Sequence, residues 1–265
     1  MSANGLFSLE GRRALITGGG RGLGRALAIG FAEAGAHVVI CARREHMVRE
    51  TAGIIEAAGG TVDALGADIT LEEDIQRIRE AAGDIDILVN NAGVYPSEPW
   101  QTVSLESWHQ VMSVNLYAPF RLCQVFVPGM MERGWGRVIN IASVYGAMGP
   151  KWHLYPETWG PSSYFASKHG INGITHYLSP RLARHGVTIN SIAPGGIVTP
   201  DQRIGLDAAG ERRLAMAVPF AEAQVQMGRP GDGTDYVGPA LLLASDGGKY
   251  MTGQVVVVDG GWTTW

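Results

Sequence analysis

Short apolar runs alternate with longer stretches of helical period along almost the whole chain, and this alternation constrains the fold more than any other feature. The runs are Arg13–Thr17, His37–Cys41, Thr61–Leu65, Ile85–Asn90, Arg137–Ile141, Val187–Ala193 and Gln254–Val258. Between them lie amphipathic segments such as Leu23–Glu33 and the more polar Glu45–Ala58. A strand that faces water on one side alternates apolar with polar residues, whereas these runs are apolar nearly throughout. They are therefore expected in a parallel sheet covered by helices on both faces, an α/β doubly wound architecture of about seven strands. No Pro/Ser-rich linker, internal repeat or low-complexity tract interrupts the pattern, so residues 1–265 are expected to form a single domain. The segment 194–226 lacks a clean strand and breaks the helical period, which suits a long loop with short helices beside a site.

Composition excludes several classes. Of the 265 residues 46% are apolar and 17% charged, and the formal net charge is −4. A nucleic-acid binder needs clustered Lys and Arg for phosphate contacts, and Arg43-Arg44 and Arg212-Arg213 are too short to supply them. No apolar stretch reaches the ~20 residues of a membrane span, and the segment before Glu10 lacks the basic and apolar regions of a signal peptide. Two cysteines, Cys41 and Cys123, fall in apolar elements and are expected to be reduced packing residues of a cytoplasmic protein.

Between the first strand and the first helix stands Thr17-Gly18-Gly19-Gly20-Arg21-Gly22-Leu23-Gly24. Glycines at such a turn let the backbone approach a pyrophosphate, which the positive end of the following helix attracts. This points to a Rossmann-type dinucleotide site. The end of the second strand bears on which dinucleotide. An acid there holds the ribose 2′-hydroxyl of NAD, whereas an arginine accommodates the 2′-phosphate of NADP. Here the strand runs Cys41-Ala42-Arg43-Arg44 with no acid before Glu45. Arg43 can clamp a phosphate through two N–H groups and stack on adenine, so NADP(H) is expected, with NAD(H) as the alternative.

The ordered set Thr17-Gly18-x-x-x-Gly22-x-Gly24, Asp68, Asn90-Asn91-Ala92-Gly93, Asn115, Ser143, Tyr164-x-x-x-Lys168 and Pro194-Gly195 with Thr199 resembles the short-chain dehydrogenase/reductase family over nearly the whole chain. Members similar to it include NADP(H)-dependent ketone and 3-oxoacyl reductases and sugar-acid dehydrogenases. The resemblance implies that Gly18, Gly20, Arg21, Gly22, Leu23 and Gly24 cradle the pyrophosphate. It implies that Asp68, with Ile69, meets the adenine, and that Asn90, Asn91, Ala92 and Gly93 form the turn passing the adenosine ribose. Pro194, Gly195, Ile197 and Thr199 are then the stretch that orients the nicotinamide.

Residues four apart on a helix share a face, which brings Tyr164 and Lys168 together. A free tyrosine titrates near ~10, too high for an efficient base at neutral pH, and a neighbouring ammonium favours the phenolate. The resemblance further implies that Lys168 reaches the nicotinamide ribose and that Ser143 holds the substrate oxygen. Asn115 is implied to anchor a water linking Lys168 to solvent. Carbonyl reduction with Tyr164 protonating the oxygen, or the reverse oxidation of a secondary alcohol, is the expected activity. His169, His176 and His185 are scattered along one helix, and no metal site is expected.

One departure from the family pattern stands out. Ser143 precedes Tyr164 by 21 residues, a longer interval than is usual. Tyr155 would shorten it, but the residue four further on is Trp159, not a lysine. The stretch 144–163 is expected to be an extended loop whose Trp152, His153, Tyr155 and Trp159 either border the substrate pocket or pack on the surface or a neighbouring subunit. Leu214, Met216, Val218 and Phe220 are candidates for an apolar lid within 194–226. Met227-Gly228-Arg229-Pro230 and Asp259-Gly260-Gly261-Trp262 resemble the family's closing segments. The resemblance implies a homotetramer assembled through the C-terminal strand and a pair of long helices. Small-molecule ketones, sugar acids and acyl thioesters all stay open as substrates; Arg121, Arg133 and Arg137 are weak candidates for docking an acyl carrier. A dinucleotide-sensing protein without catalysis is the reading from another class.

Overall fold

A computed structural model describes residues 3–96, 98–149, 162–198, 219 and 221–264. Seven strands, β1 (Arg13–Thr17), β2 (His37–Ala42), β3 (Thr61–Gly66), β4 (Ile87–Asn90), β5 (Gly136–Ile141), β6 (Val187–Pro194) and β7 (Val255–Val258), form one sheet in the order β3-β2-β1-β4-β5-β6-β7. Every neighbouring pair is parallel. The strands coincide with the apolar runs to within two residues at either end. The described residues include the helices α1 (Ala3–Leu6), α2 (Gly22–Glu33), α3 (Glu45–Ala57), α4 (Glu72–Ala82), α5 (Leu105–Met112), α6 (Ala118–Arg133), α7 (Ser162–Ala183) and α8 (Val237–Ala244).

Alternate residues of one strand serve opposite cores, which is why the strands read as continuous apolar runs. Ala14, Ile16, Val38 and Ile40 join Leu27 and Phe31 of α2 and Leu243 of α8 on one face. Leu15, Val39 and Cys41 join Ile75 and Ile78 of α4 and Leu122, Phe126 and Met130 of α6 on the other. Burial of a Leu, Ile or Phe side chain contributes about 1.5–3 kcal/mol, so these two layers dominate the stability of the sheet.

The interior also carries a polar ladder. Asn90 of β4 donates to Asn140 of β5 at 2.8 Å, Asn140 donates to Thr175 of α7 at 2.9 Å, and Thr175 meets Ser191 of β6 at 2.8 Å. Buried polar groups must find partners, and this chain of bonds ties α7 to three strands at a fixed register. The strand order reverses between β1 and β4. Their carboxyl ends diverge there into the crevice where open α/β sheets place their ligands.

Candidate active site

The turn after β1 opens this crevice. Gly18 has φ +70°, a conformation L side chains rarely adopt, and a Cβ there would lie 2.9 Å from Asn91 Nδ2 and 3.0 Å from Ala92 Cα. A Cβ on Gly24 would overlap the Gly18 carbonyl oxygen, so the first turn of α2 rests directly on the loop. Thr17 is buried beneath it. Its hydroxyl accepts from the backbone N–H groups of Asn91 and Ala92, both at 3.0 Å, and the Asn91 amide returns a bond to the Thr17 carbonyl at 2.8 Å. Thr17 and Asn91 thus lock the β1 and β4 turns together. Above them lies a cleft of about 320 Å³.

Cleft-lining residues come from four turns. Gly18, Gly20 to Gly24 and Asn91 to Val94 form its floor, Arg43, Arg44 and Met47 one end, and Asp68 and Ile69 a side wall. Arg43 is exposed and makes no ion pair among the described residues, whereas nearby Arg49 is bonded to Glu45. The carboxylate of Asp68 is oriented by the Thr70 N–H at 2.9 Å and the Thr70 hydroxyl at 2.7 Å. The other end of the cleft closes on Gly93, where a Cβ would sit 3.4 Å from Asn115 Oδ1 and 4.0 Å from Lys168 Nζ. Small size at Gly93 joins the cleft to the second group of polar side chains.

In that group α7 supplies Tyr164 and Lys168, with the Lys168 ammonium 5.4 Å from the Tyr164 ring centroid. Ser143 follows β5 and is buried, its Oγ accepts from the Tyr145 N–H at 3.2 Å, and it stands close enough to the Tyr164 phenol to pull that group's pKa down. Lys168 Nζ donates to the Ile141 carbonyl at 2.6 Å. Burial lowers the Lys168 pKa from 10.5 to about 8. Burial also raises Tyr164 to about 12, and Ser143 only partly offsets this. Desolvation thus opposes the phenolate that a neighbouring ammonium favours, and it favours the protonated phenol.

Asn115 sits inside a π-helical turn, Ser113–Tyr117, between α5 and α6. Such turns disrupt regular helical bonding and recur at functional sites. The Asn115 carboxamide grips Val94 twice, accepting from its N–H at 2.9 Å and donating to its carbonyl at 3.0 Å, and also donates to Ser167 at 3.2 Å. Val94 is followed by Tyr95, whose ring packs edge-on against Tyr164 with centroids 4.7 Å apart.

The sequence model for short chain dehydrogenases matches residues 12–204, and this span holds the whole constellation from Thr17 to Thr199. The chain belongs to the short-chain dehydrogenase family. It is 35% identical to a 3-oxoacyl-(acyl-carrier-protein) reductase of Vibrio cholerae over 96% of this chain and 98% of that protein. It is 34% identical to a gluconate 5-dehydrogenase of Gluconobacter oxydans over 99% of each. The crystal structure of a gluconate 5-dehydrogenase from Burkholderia cenocepacia, in complex with NADP and tartrate, superposes with a TM-score of 0.84 at 34% identity and covers all of both chains.

Within this dehydrogenase the sites read from sequence fall into three sets. Gly18, Gly20 to Gly24, Arg43, Asp68, Ile69, Asn91, Ala92 and Gly93 meet in the cleft, and Ser143, Tyr164, Lys168 and Asn115 gather beyond its Gly93 end. Pro194 ends β6, Gly195 is bonded to Val258 at 3.0 Å, and Ile197 bridges Gly231. Asn90 is the exception, since its side chain points into the polar ladder rather than to the cleft. Thr199, the aromatic residues Trp152, His153, Tyr155 and Trp159, and the lid candidates Leu214, Met216, Val218 and Phe220 lie outside the described residues. Met47, Val94, Val114 and Tyr95 were not foreseen. Tyr95 carried a usable signal, being an aromatic two residues after Asn90-Asn91-Ala92-Gly93.

Proposed function

We propose that this dehydrogenase interconverts a small-molecule carbonyl and its secondary alcohol with NADP(H), through Ser143, Tyr164, Lys168 and Asn115. The single observation that carries the reading is the gathering of Ser143, Tyr164, Lys168 and Asn115 at the Gly93 end of a glycine-floored cleft, with the Lys168 ammonium 5.4 Å from the Tyr164 ring centroid. The cleft suits a dinucleotide because its floor admits no Cβ at Gly18 or Gly24 and the N-terminus of α2 faces it. Gly18, Gly20 to Gly24, Asp68, Ile69, Asn91, Ala92 and Gly93 would hold the cofactor, with Pro194, Gly195, Ile197 and Thr199 toward its nicotinamide end. Arg43, exposed and without an ionic partner among the described residues, would take the 2′-phosphate. NADP(H), when bound, supplies or accepts the hydride. Ser143 and Tyr164 hydrogen-bond the substrate oxygen, and Tyr164, protonated at neutral pH, delivers the proton in the reductive direction. Lys168 supplies positive charge next to the phenol, and Asn115 holds the Val94 turn and the water path to Lys168.

Two observations favour a free small molecule over an acyl-carrier thioester. Arg121 is bonded twice to Glu72, and Arg133 pairs with Asp84 and donates to the Ile85 carbonyl. Arg137 is buried against Asp246. None of the three presents an unpartnered charge to an acidic partner. The same proposal includes a cytoplasmic setting, in keeping with two free buried cysteines, and a homotetramer. Exposed Tyr117, Phe120 and Tyr177 and half-exposed Val257 on the edge strand β7 support the oligomer. Tyr164→Phe tests the chemistry. NADPH consumption with the preferred ketone should fall by roughly 10²–10⁴ while NADPH binding, followed by its fluorescence, is unchanged. Turnover at the wild-type rate would contradict the proposal.

A further inference from the structure

In the proposed chemistry Ser143 and Tyr164 act on one substrate oxygen, yet Tyr164 follows Ser143 by 21 residues and the chain between is a long connection. A long loop holds its ends together weakly, because closure has an entropic cost that grows with length. Non-covalent contacts must therefore set the spacing of the pair. The segment carrying Ser143 is fastened to α7 at two points one helical turn apart. At its upstream end, Lys168 Nζ donates to the Ile141 carbonyl at 2.6 Å. At its downstream end, Asn172 Nδ2 donates to the Gly146 carbonyl at 3.0 Å, and Gly146 N–H donates back to the Ser143 carbonyl at 2.8 Å. Gly146 thus links α7 to the backbone of Ser143, accepting through its carbonyl and donating through its N–H.

Packing agrees with this fastening. A Cβ on Gly146 would lie 2.5 Å from the Lys168 carbonyl oxygen and 2.9 Å from Asn172 Nδ2, so the helix rests directly on the loop backbone. Asn172 is 6% exposed, and its buried Oδ1 has no hydrogen-bond partner among the described residues. Leaving a buried acceptor unsatisfied is destabilising, and an apolar side chain of similar size avoids it. What asparagine supplies here is the donor to Gly146. Lys168 has a further task in the proposed chemistry, whereas Asn172 has none.

We propose that Asn172 is a positioning residue, which holds Ser143 beside Tyr164 by clamping the Val144–Gly146 turn to α7. This inference rests on the proposed catalytic role of Ser143 and Tyr164. Loss of the clamp lets Ser143 drift, and a displacement of about 1 Å at a reacting group can lower the rate about 10²-fold.

The test is a double-mutant cycle on the full-length protein with Asn172→Leu and Ser143→Ala. It uses NADPH and 5-ketogluconate, or a 3-oxobutanoyl thioester where that is the better substrate. Asn172→Leu should lower kcat roughly 10- to 100-fold, leave the NADPH dissociation constant unchanged, and move the alkaline limb of the pH–rate profile upward. In the Ser143→Ala background it should cost no further activity. Additive losses in the double variant, or an unchanged kcat in Asn172→Leu, overturn the inference. Should Asn172→Leu not fold, Asn172→Ala enters the same cycle, with a melting curve confirming the folded state. Wild-type turnover by Ser143→Ala would overturn the catalytic reading itself and this inference with it. A crippled Ser143→Ala alongside a fully active Asn172→Leu sinks the positioning role alone.

Discussion

Lys168 is 5% exposed, with its pKa held at about 8 against 10.5 for a free side chain. Between those values the folded protein binds fewer protons than the unfolded chain, so this residue makes stability rise with pH across that window. At pH 7 its burial costs on the order of 3 kcal/mol, and the cost vanishes above pH 10.5. Lys168→Met removes the ionisable group and should gain stability relative to wild type at pH 7. That gain should shrink as pH rises from 8 to 10.5, as followed by urea unfolding at a series of pH values. A gap that does not change with pH contradicts the desolvation account. Arg43 acts at the same scale but on selectivity. A hydrogen bond to a charged group contributes about 1.5–3 kcal/mol, so Arg43→Ala should raise the KM for NADPH by about 10- to 100-fold while hardly altering that for NADH. Equal effects on both cofactors would remove Arg43 from the 2′-phosphate.

At the level of elements, the contact between α2 and the β1 turn is the tightest point of the cofactor cleft. Gly24→Ala places a methyl group against the Gly18 carbonyl and 2.5 Å from Asn91 Nδ2. Overpacking of this kind costs about 1–3 kcal/mol. The variant should melt several degrees lower and bind NADPH more weakly, which a thermal melt with and without cofactor reads directly. The strands were legible in the sequence because burial on both faces writes itself as a continuous apolar run. The cleft was legible because its demands are local, a glycine at Gly18 and a charge at Arg43. What was not legible depends on pairing between distant segments. Asn90 looks like part of the ribose turn in the linear order, but its register opposite Asn140 turns its side chain into the interior. The π turn at Asn115 and the Asn172–Gly146 bond arise from how α5, α6 and α7 pack, and neither leaves a local signature.

For the whole molecule, some of the exposed apolar side chains lie on the C-terminal strand and the long helices, which the family resemblance assigns to assembly. Tyr117 and Phe120 project at the start of α6, Tyr177 on α7 and Val257 on β7. A homotetramer should therefore sediment at about four times the 28.3 kDa chain mass, and Tyr177→Glu should shift it toward smaller species without changing the chemistry of a surviving protomer. A wild-type monomer contradicts this part of the account. Sheet, cleft and polar cluster otherwise form one arrangement. The reversal of strand order opens the crevice, the glycine floor shapes it for a dinucleotide, and Gly93 links it to Ser143, Tyr164 and Lys168. The central claim is that this arrangement moves a hydride between NADP(H) and a carbonyl with Tyr164 as the proton donor. Its most direct test is NADPH oxidation at 340 nm against a panel of ketones, keto-sugar acids and acyl thioesters, run side by side for wild type and Tyr164→Phe. The account predicts turnover of at least one carbonyl by wild type and near-complete loss in the variant, with NADPH still bound by both. Equal rates in the two proteins, or no turnover of any carbonyl by wild type that binds NADPH, would contradict it.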